Sequence, residues 1–98
     1  MAHYVILFHF THQGMDHLKS SPDRVSAIKA AAARHKVKIK EFFALMGRYD
    51  TMFIVDAPND EAVAQLSLTI GAHGNVRTET LRAFNEEEFR KLVAAAVA

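Results

Sequence analysis

The stretch "VKIKEFFALMGRYDTMFIVDA", residues 37–57, decides the fold, because it contains two apolar segments separated by a short polar break. Apolar residues alternate with lysine at the start of the stretch, and this period of two is typical of a β-strand. The break at residues 47–50 holds a glycine, which tolerates unusual backbone angles, and an aspartate, which accepts backbone N–H bonds. The stretch therefore predicts a β-hairpin with its turn at residues 47–50.

Strand and helix patterns alternate on both sides of this hairpin. Serine, asparagine and proline stand where N-caps and first helical turns favour them, notably at Ser21, Pro22 and Asn85. The patterns predict a strand at 3–10, a helix from Ser21 to about 35, a helix from 58 to 70, a strand at 76–84 and a helix at 85–98.

The resulting order, β-α-β-β-α-β-α, predicts an α+β fold. Right-handed connections turn its first six elements into a ferredoxin-like βαββαβ antiparallel sheet with the spatial order 4-1-3-2. The last helix is an addition to this arrangement, and residues 1–98 form a single domain. Lys38 and Lys40 fit the edge position that the second strand then takes, since charge on an edge discourages unwanted pairing.

Both faces of the first strand are apolar, which bears on assembly. Tyr4, Ile6 and Phe8 line one side of it, and Val5 and Leu7 line the other, with His9 following the alternation of Val5 and Leu7. Two helices can cover only one face of a four-stranded sheet, so the other face needs the terminal helix or a second subunit. We expect a homodimer with its sheets face to face, an α/β barrel made by two chains.

Composition excludes several classes of function. The net charge of +1 offers no strong field for nucleic acid or membranes, and the absence of cysteine excludes disulfides, thiolate metal sites and cysteine nucleophiles. No apolar run approaches the roughly 18 residues that span a bilayer, and the N-terminus does not resemble a signal peptide. We expect a cytoplasmic protein that binds neither nucleic acid nor membrane.

The predicted topology brings three loops to one edge of the sheet. The first strand and the second helix end there, and the hairpin turns there. The loops carry a candidate ligand-binding set consisting of His9, His12, Arg48, Tyr49, Asp50, His73 and Asn75. His9 is the candidate catalytic residue, as an acid or base near neutral pH, although an interface histidine is the simpler interpretation. Tyr49 and Asp50 also fit a purely structural turn.

Metal binding and cofactor binding are weaker hypotheses. His9 and His12, with His17 or His73 and with Asp50, could ligate zinc, copper or iron, but no established metal motif holds their spacing. Glycine-rich nucleotide-binding motifs and the serine-hydrolase elbow are absent from the sequence. No metal site and no cofactor are predicted.

Three motifs of the chain carry a family resemblance: Gly47-x-Tyr49-Asp50, "FTHQG" at 10–14 and "GNVRTETLRAF" at 74–84. Through them the chain resembles the GYD domain family, and the resemblance extends from Ala2 to about Leu92. It implies a ferredoxin-like domain that dimerises as an α/β barrel, and it implies no particular reaction. His12 departs from the family pattern, in which an acidic residue commonly precedes the Gln-Gly pair.

A more distant resemblance links the hairpin, the following helix and "NVRTET" at 75–80 to the effector-binding domain of leucine-responsive (Lrp/AsnC) regulators. Those domains bind small molecules near subunit interfaces. We therefore expect a homo-oligomer that binds a small organic ligand at the loop edge and between the sheets. Two alternatives stay open: a cofactor-independent oxidoreductase or isomerase acting on a small apolar or aromatic substrate, and a histidine-based metal-binding protein.

Overall fold

The computed structural model describes residues 1–98, which fold into a four-stranded sheet and four helices. In chain order the elements are β1 (Ala2–Phe10), α1 (His12–Asp16), a 3-10 turn (Leu18–Ser20), α2 (Ser21–Arg34), β2 (Lys38–Ala44), β3 (Thr51–Ala57), α3 (Asp60–Ala72), β4 (Val76–Ala83) and α4 (Glu86–Ala96). The α+β fold is confirmed.

The sheet has the order β2-β3-β1-β4, and each neighbouring pair is antiparallel. This is the predicted ferredoxin-like order, with β1 and β3 in the centre. Val5 of β1 lies opposite Ile54 of β3 and Leu81 of β4, which fixes the side chains that share a face. A bulge between Ile39 and Glu41 interrupts the pairing of the edge strand β2.

One face of the sheet carries the core. Tyr4, Ile6 and Phe8 of β1 are buried, as are Phe53 and Val55 beside them on β3. The rings of Phe8 and Phe53 meet edge to face with centroids 5.3 Å apart, a favoured aromatic geometry. Helices α2 and α3 cover this face and contribute further buried side chains, namely Ala31, Ala32, Ala62, Val63, Leu66 and Ile70.

Two short helical segments depart from the prediction. The loop after β1 contains α1 and the 3-10 turn, which no pattern in the sequence predicted. Thr11 caps α1, because its side chain accepts a hydrogen bond from the Gly14 N–H. Five residues are too few to show a helical period in the sequence. The cap of α2 is Ser20 rather than the predicted Ser21, which is already helical.

The opposite face of the sheet, which we call the open face, is covered by no element of the chain. Its centre is apolar and partly exposed, and it is formed by Val5, Leu7, Phe43, Met52, Ile54 and Leu81. Phe43 is 49% exposed and Leu81 is 45% exposed. Contiguous exposed apolar patches are typical of interaction surfaces in small domains.

Helix α4 makes little contact with the rest of the chain, and near its start Glu88 Oε1 lies 3.6 Å from His3 Nε2. Asn85 and Glu88 form a complete capping box at its start, yet none of its residues is buried. The radius of gyration is 14.8 Å, whereas about 13 Å is expected for a compact chain of this length. Helix α4 therefore projects from the body. None of the helices has the length and apolar character needed to cross a membrane.

Candidate functional site

The predicted loop edge exists, and we call it the rim. It is formed by the end of β1, the β2–β3 hairpin turn and the end of α3. The rim is bound together by hydrogen bonds between these three segments. His3 and Asp60 lie away from it: His3 Nδ1 contacts Asp56 at 2.5 Å, and Asp60 accepts a hydrogen bond from the Tyr4 hydroxyl.

Asp50 joins the hairpin turn to the end of β1. Its carboxylate accepts a hydrogen bond from the Phe10 N–H at 2.8 Å, and its own N–H donates to the Phe8 carbonyl at 2.9 Å. Its carbonyl accepts from the Leu45 N–H at 2.9 Å, which closes the turn. Gly47 adopts a φ of +110° in this turn, a region that favours glycine. The predicted structural role of the turn is thus supported by specific contacts.

A second set of contacts joins the loop after β1 to the loop after α3. The Gln13 amide donates both to the His73 carbonyl and to Asn75 Oδ1, each at 3.0 Å. The Thr11 hydroxyl donates to the Gly74 carbonyl at 2.6 Å. A Cβ at Gly14 would lie 2.1 Å from the Asn75 carbonyl oxygen, so only glycine permits this close approach. The loop after β1, at residues 11–14, and the loop after α3, at residues 73–75, therefore hold each other in place.

His9 is the one candidate catalytic residue, and its ring is held by the hairpin turn. Its side chain lies on the open face, in the predicted parity, and it is 48% exposed. Nδ1 lies 3.0 Å from the Arg48 carbonyl and 3.9 Å from Asp50 Oδ2. Because a carbonyl only accepts, the contact assigns the proton of the neutral ring to Nδ1 and leaves Nε2 unprotonated. Nε2 could accept a proton from a bound substrate.

Tyr49 follows Arg48 in the hairpin turn, and its side chain points toward β4. Its hydroxyl donates to the Glu79 carboxylate, and the Arg48 guanidinium lies 5.5 Å from its ring centroid. The hydrogen bond to Glu79, with some desolvation, raises the pKa of Tyr49 above 10.0. Glu79 was not among the predicted site residues. It lies on the open face opposite Leu7, and no motif in the sequence marks it as a partner of Tyr49.

The remaining histidines of the rim do not converge with His9. His12 is almost fully exposed and contacts Asp16 one turn along α1, at 3.4 Å. His17 Nδ1 contacts the Gln13 carbonyl at 2.9 Å. No group of three or more His, Asp or Glu residues in the chain is placed to hold a metal ion. The metal-binding alternative therefore lacks a donor cluster.

His73 and Asn75 face a different direction from the other predicted residues. Both line a cavity of about 370 Å³ between α2 and α3, on the helical side of the sheet. His9, Arg48 and Tyr49 instead lie at the rim of the open face. Five of the seven predicted ligand-binding residues thus divide between two surfaces at one end of the molecule, while His12 is exposed on α1 and Asp50 joins the hairpin turn to β1.

Comparison with known proteins identifies the family. The family model described as "GYD domain" matches residues 4–93. The chain belongs to the GYD domain family. A relative from Thermus thermophilus, named "Glutamine synthetase and cystathionine beta-lyase binding protein", is 29% identical over 84 residues. The match covers 85% of this chain and 88% of the relative.

Solved structures with the same fold include members of other protein classes. The leucine response regulatory protein of Mycobacterium tuberculosis superposes with a TM-score of 0.64 at 15% identity, over 86% of this chain and 51% of the regulator. A protein from Thermus thermophilus superposes with a TM-score of 0.56 at 25% identity, over 87% of this chain and 95% of that one. The mycobacterial match confirms the predicted likeness to the regulator fold.

Proposed function

We propose that this GYD domain is a non-catalytic binding protein, which works as a homodimer joined through its open faces and holds a small organic ligand. One observation carries the proposal: the open face and α4 are neighbouring apolar surfaces that nothing within the chain covers. Phe89, Leu92, Val93 and Ala96 lie at helical spacing on one side of α4. A two-fold axis between identical open faces would bury both surfaces in one closed assembly.

The length of α4 supports the same assembly. The helix has 11 residues, and isolated helices shorter than about 12–15 residues are marginal in water. Its charged side forms the pairs Arg90–Glu86 and Lys91–Glu87 within the helix, so its apolar side is the one available for contact. Packing against a second copy would supply the stability that the chain alone does not provide.

Binding rather than catalysis is also the class of function that the Thermus thermophilus relative's name states. We carry over that class of function and not the two enzymes named there. Thermal-shift screening of purified protein against small organic acids, bases and neutral aromatics tests ligand binding. A binding compound raises the melting temperature with concentration, because it stabilises only the folded state. Failure of all three classes at millimolar concentration contradicts the ligand-binding role.

A second candidate function rests on His9. Its unprotonated Nε2 and the neighbouring Asp50 would suit an oxidoreductase or isomerase that removes a proton from a small apolar or aromatic substrate at the open face. The variant His9→Asn keeps a donor for the Arg48 carbonyl but removes the basic nitrogen. His17→Asn is the matched control, since His17 makes the same kind of backbone contact. If both variants still bind ligand and neither loses catalytic turnover relative to the wild-type protein, the binding role is favoured.

A further inference from the structure

The cavity between α2 and α3 has an apolar body, and short side chains create it. Ala27, Ala30 and Ala31 form half of its α2 wall, and Ile28, Ile70 and Val76 complete the apolar surface. Alanine leaves space between the two helices that larger side chains would fill. At about 370 Å³ the cavity falls within the size range of small-molecule sites.

The charged groups around this cavity all have the same sign. Arg24 and Arg34 of α2 line it, and no aspartate or glutamate does. Neither arginine belongs to a salt bridge. The two positions are separated by ten residues of α2, or about 15 Å along the helix axis. An organic anion would therefore meet a positive potential and no competing carboxylate.

Arg24 is held in place at the rim end of the cavity. Its guanidinium donates to the His17 carbonyl at 2.8 Å and to the Gly14 carbonyl at 3.3 Å, and it lies 5.8 Å from the Phe10 ring centroid. These contacts use two of its five N–H donors, so the others remain for a ligand. A guanidinium fixed by carbonyls and a ring loses little freedom when it binds a carboxylate.

Asn75 adds an oriented donor beside Arg24. Its Oδ1 accepts from Gln13, so its Nδ2 is free to donate on the other side of the amide. The His73 carbonyl, which follows α3, is already bonded to Gln13. The polar end of the cavity thus presents N–H donors from two elements, and an acceptor-only group is the matching partner.

From this arrangement we infer that the α2–α3 cavity binds a small monocarboxylate with an apolar body. The carboxylate contacts Arg24 and Asn75 Nδ2, and the apolar body lies along the alanines toward Arg34. The inference rests on the proposed ligand-binding role and names its site and ligand class. It places the ligand on the helical side of the sheet, inside one chain, so it does not depend on dimerisation.

Two-dimensional amide NMR with octanoate, and with octanol as its uncharged counterpart, tests the inference on the full chain. Octanoate is expected to shift resonances of residues 24–34 and 69–76 and to bind more tightly than octanol. Equal binding of the two probes overturns the carboxylate contact. Shifts confined to His9, Tyr49 and the open face overturn this site while supporting the proposed function. No octanoate binding at millimolar concentration overturns this site alone, since other ligand classes test the function.

Asn75→Asp is the sharpest variant. It keeps an acceptor for Gln13 but replaces the Nδ2 donor with a charged oxygen. We expect octanoate binding to weaken about tenfold or more, because a donor is lost and a like charge is added. Asn59→Asp is the matched control, because aspartate caps a helix as well as asparagine does. Unchanged binding to the Asn75→Asp protein would overturn the inference.

Ala30→Leu tests the apolar part of the site. Ala30 is exposed toward the cavity, so leucine is expected to fill the space without disturbing the core and to abolish octanoate binding. Ala64→Leu makes the same change on α3, at an exposed position that does not line the cavity. Loss of binding in Ala30→Leu alone supports the site, and equal behaviour of the two variants contradicts it.

Discussion

The carboxylate of Asp50 accepts a hydrogen bond from the backbone N–H of Phe10 at 2.8 Å, across 40 residues of sequence. Phe10 is the last residue of β1, beyond the β1–β3 pairing that ends at Phe8 and Thr51. The aspartate of the family motif therefore extends the sheet past its ladder and fixes the turn that carries Arg48 and Tyr49.

Replacing Asp50 with alanine should destabilise the fold, because the Phe10 N–H loses a charged acceptor. Hydrogen bonds to charged groups are worth about 1.5–3 kcal/mol, so we expect a loss of that order in urea unfolding. Asp16→Ala serves as the control, since Asp16 is exposed and contacts only His12. Equal stability of the Asp50→Ala and wild-type proteins would show that the hydrogen bond from the Phe10 N–H to Asp50 contributes nothing to the free energy of unfolding.

Two glycines should respond in opposite directions to alanine. Gly14→Ala places a Cβ 2.1 Å from the Asn75 carbonyl, so the two rim loops must separate and the free energy of unfolding should fall. Gly71 lies within α3 with open space around its Cβ position, so Gly71→Ala should stabilise the protein by roughly 0.5–1 kcal/mol. Thermal unfolding of both variants measures the contrast, which would be absent if the loops did not meet.

Both tyrosines of the chain should have pKa values above the ordinary tyrosine pKa of 10.0. Burial, with a hydrogen bond to Asp60, raises the pKa of Tyr4, and the bond to Glu79 raises that of Tyr49, each from 10.0. Since the folded state favours the neutral phenol, this stabilisation is complete below pH 10.0 and is lost as pH rises through the raised pKa values.

Ultraviolet absorbance of tyrosinate follows this titration directly, because the chain has two tyrosines and no tryptophan. Tyr49→Phe should remove one transition and leave that of Tyr4. A tyrosine that ionises at or below pH 10.0 in the folded protein would contradict the two hydrogen bonds.

A charge on the open face should prevent dimerisation. Met52 lies near the centre of that face, between Leu7 and Phe43 on the neighbouring strands, so Met52→Lys would bury an unpaired ammonium at the proposed interface. Leu68→Lys is the control, because Leu68 is 75% exposed on α3, on the other side of the sheet. Analytical ultracentrifugation should find the first variant monomeric and the second unchanged.

The sequence was a good guide to the sheet and a poorer guide to the site. Alternation along β1 predicted that Tyr4, Ile6 and Phe8 face the helices and that Val5, Leu7 and His9 face away, because a strand has a strict period of two. The meeting of Asp50 with Phe10 was not predictable in this way, since it depends on how far the hairpin reaches beyond the ladder.

The direction in which His73 and Asn75 point depends on helix packing. Their place at the rim follows from topology, but the cavity that they line depends on the separation of α2 and α3. No period in the sequence encodes that separation. Glu79 and Arg24 were missed because no motif in the sequence links them to their partners, which are Tyr49 for Glu79 and the Gly14 and His17 carbonyls for Arg24.

The solution mass of the wild-type protein tests the central claim most directly. Light scattering coupled to size-exclusion chromatography, at micromolar protein, should give twice the chain mass of 10.9 kDa. That result is expected because the open face and the apolar side of α4 are both uncovered in one chain. A single species of 10.9 kDa would contradict the homodimer.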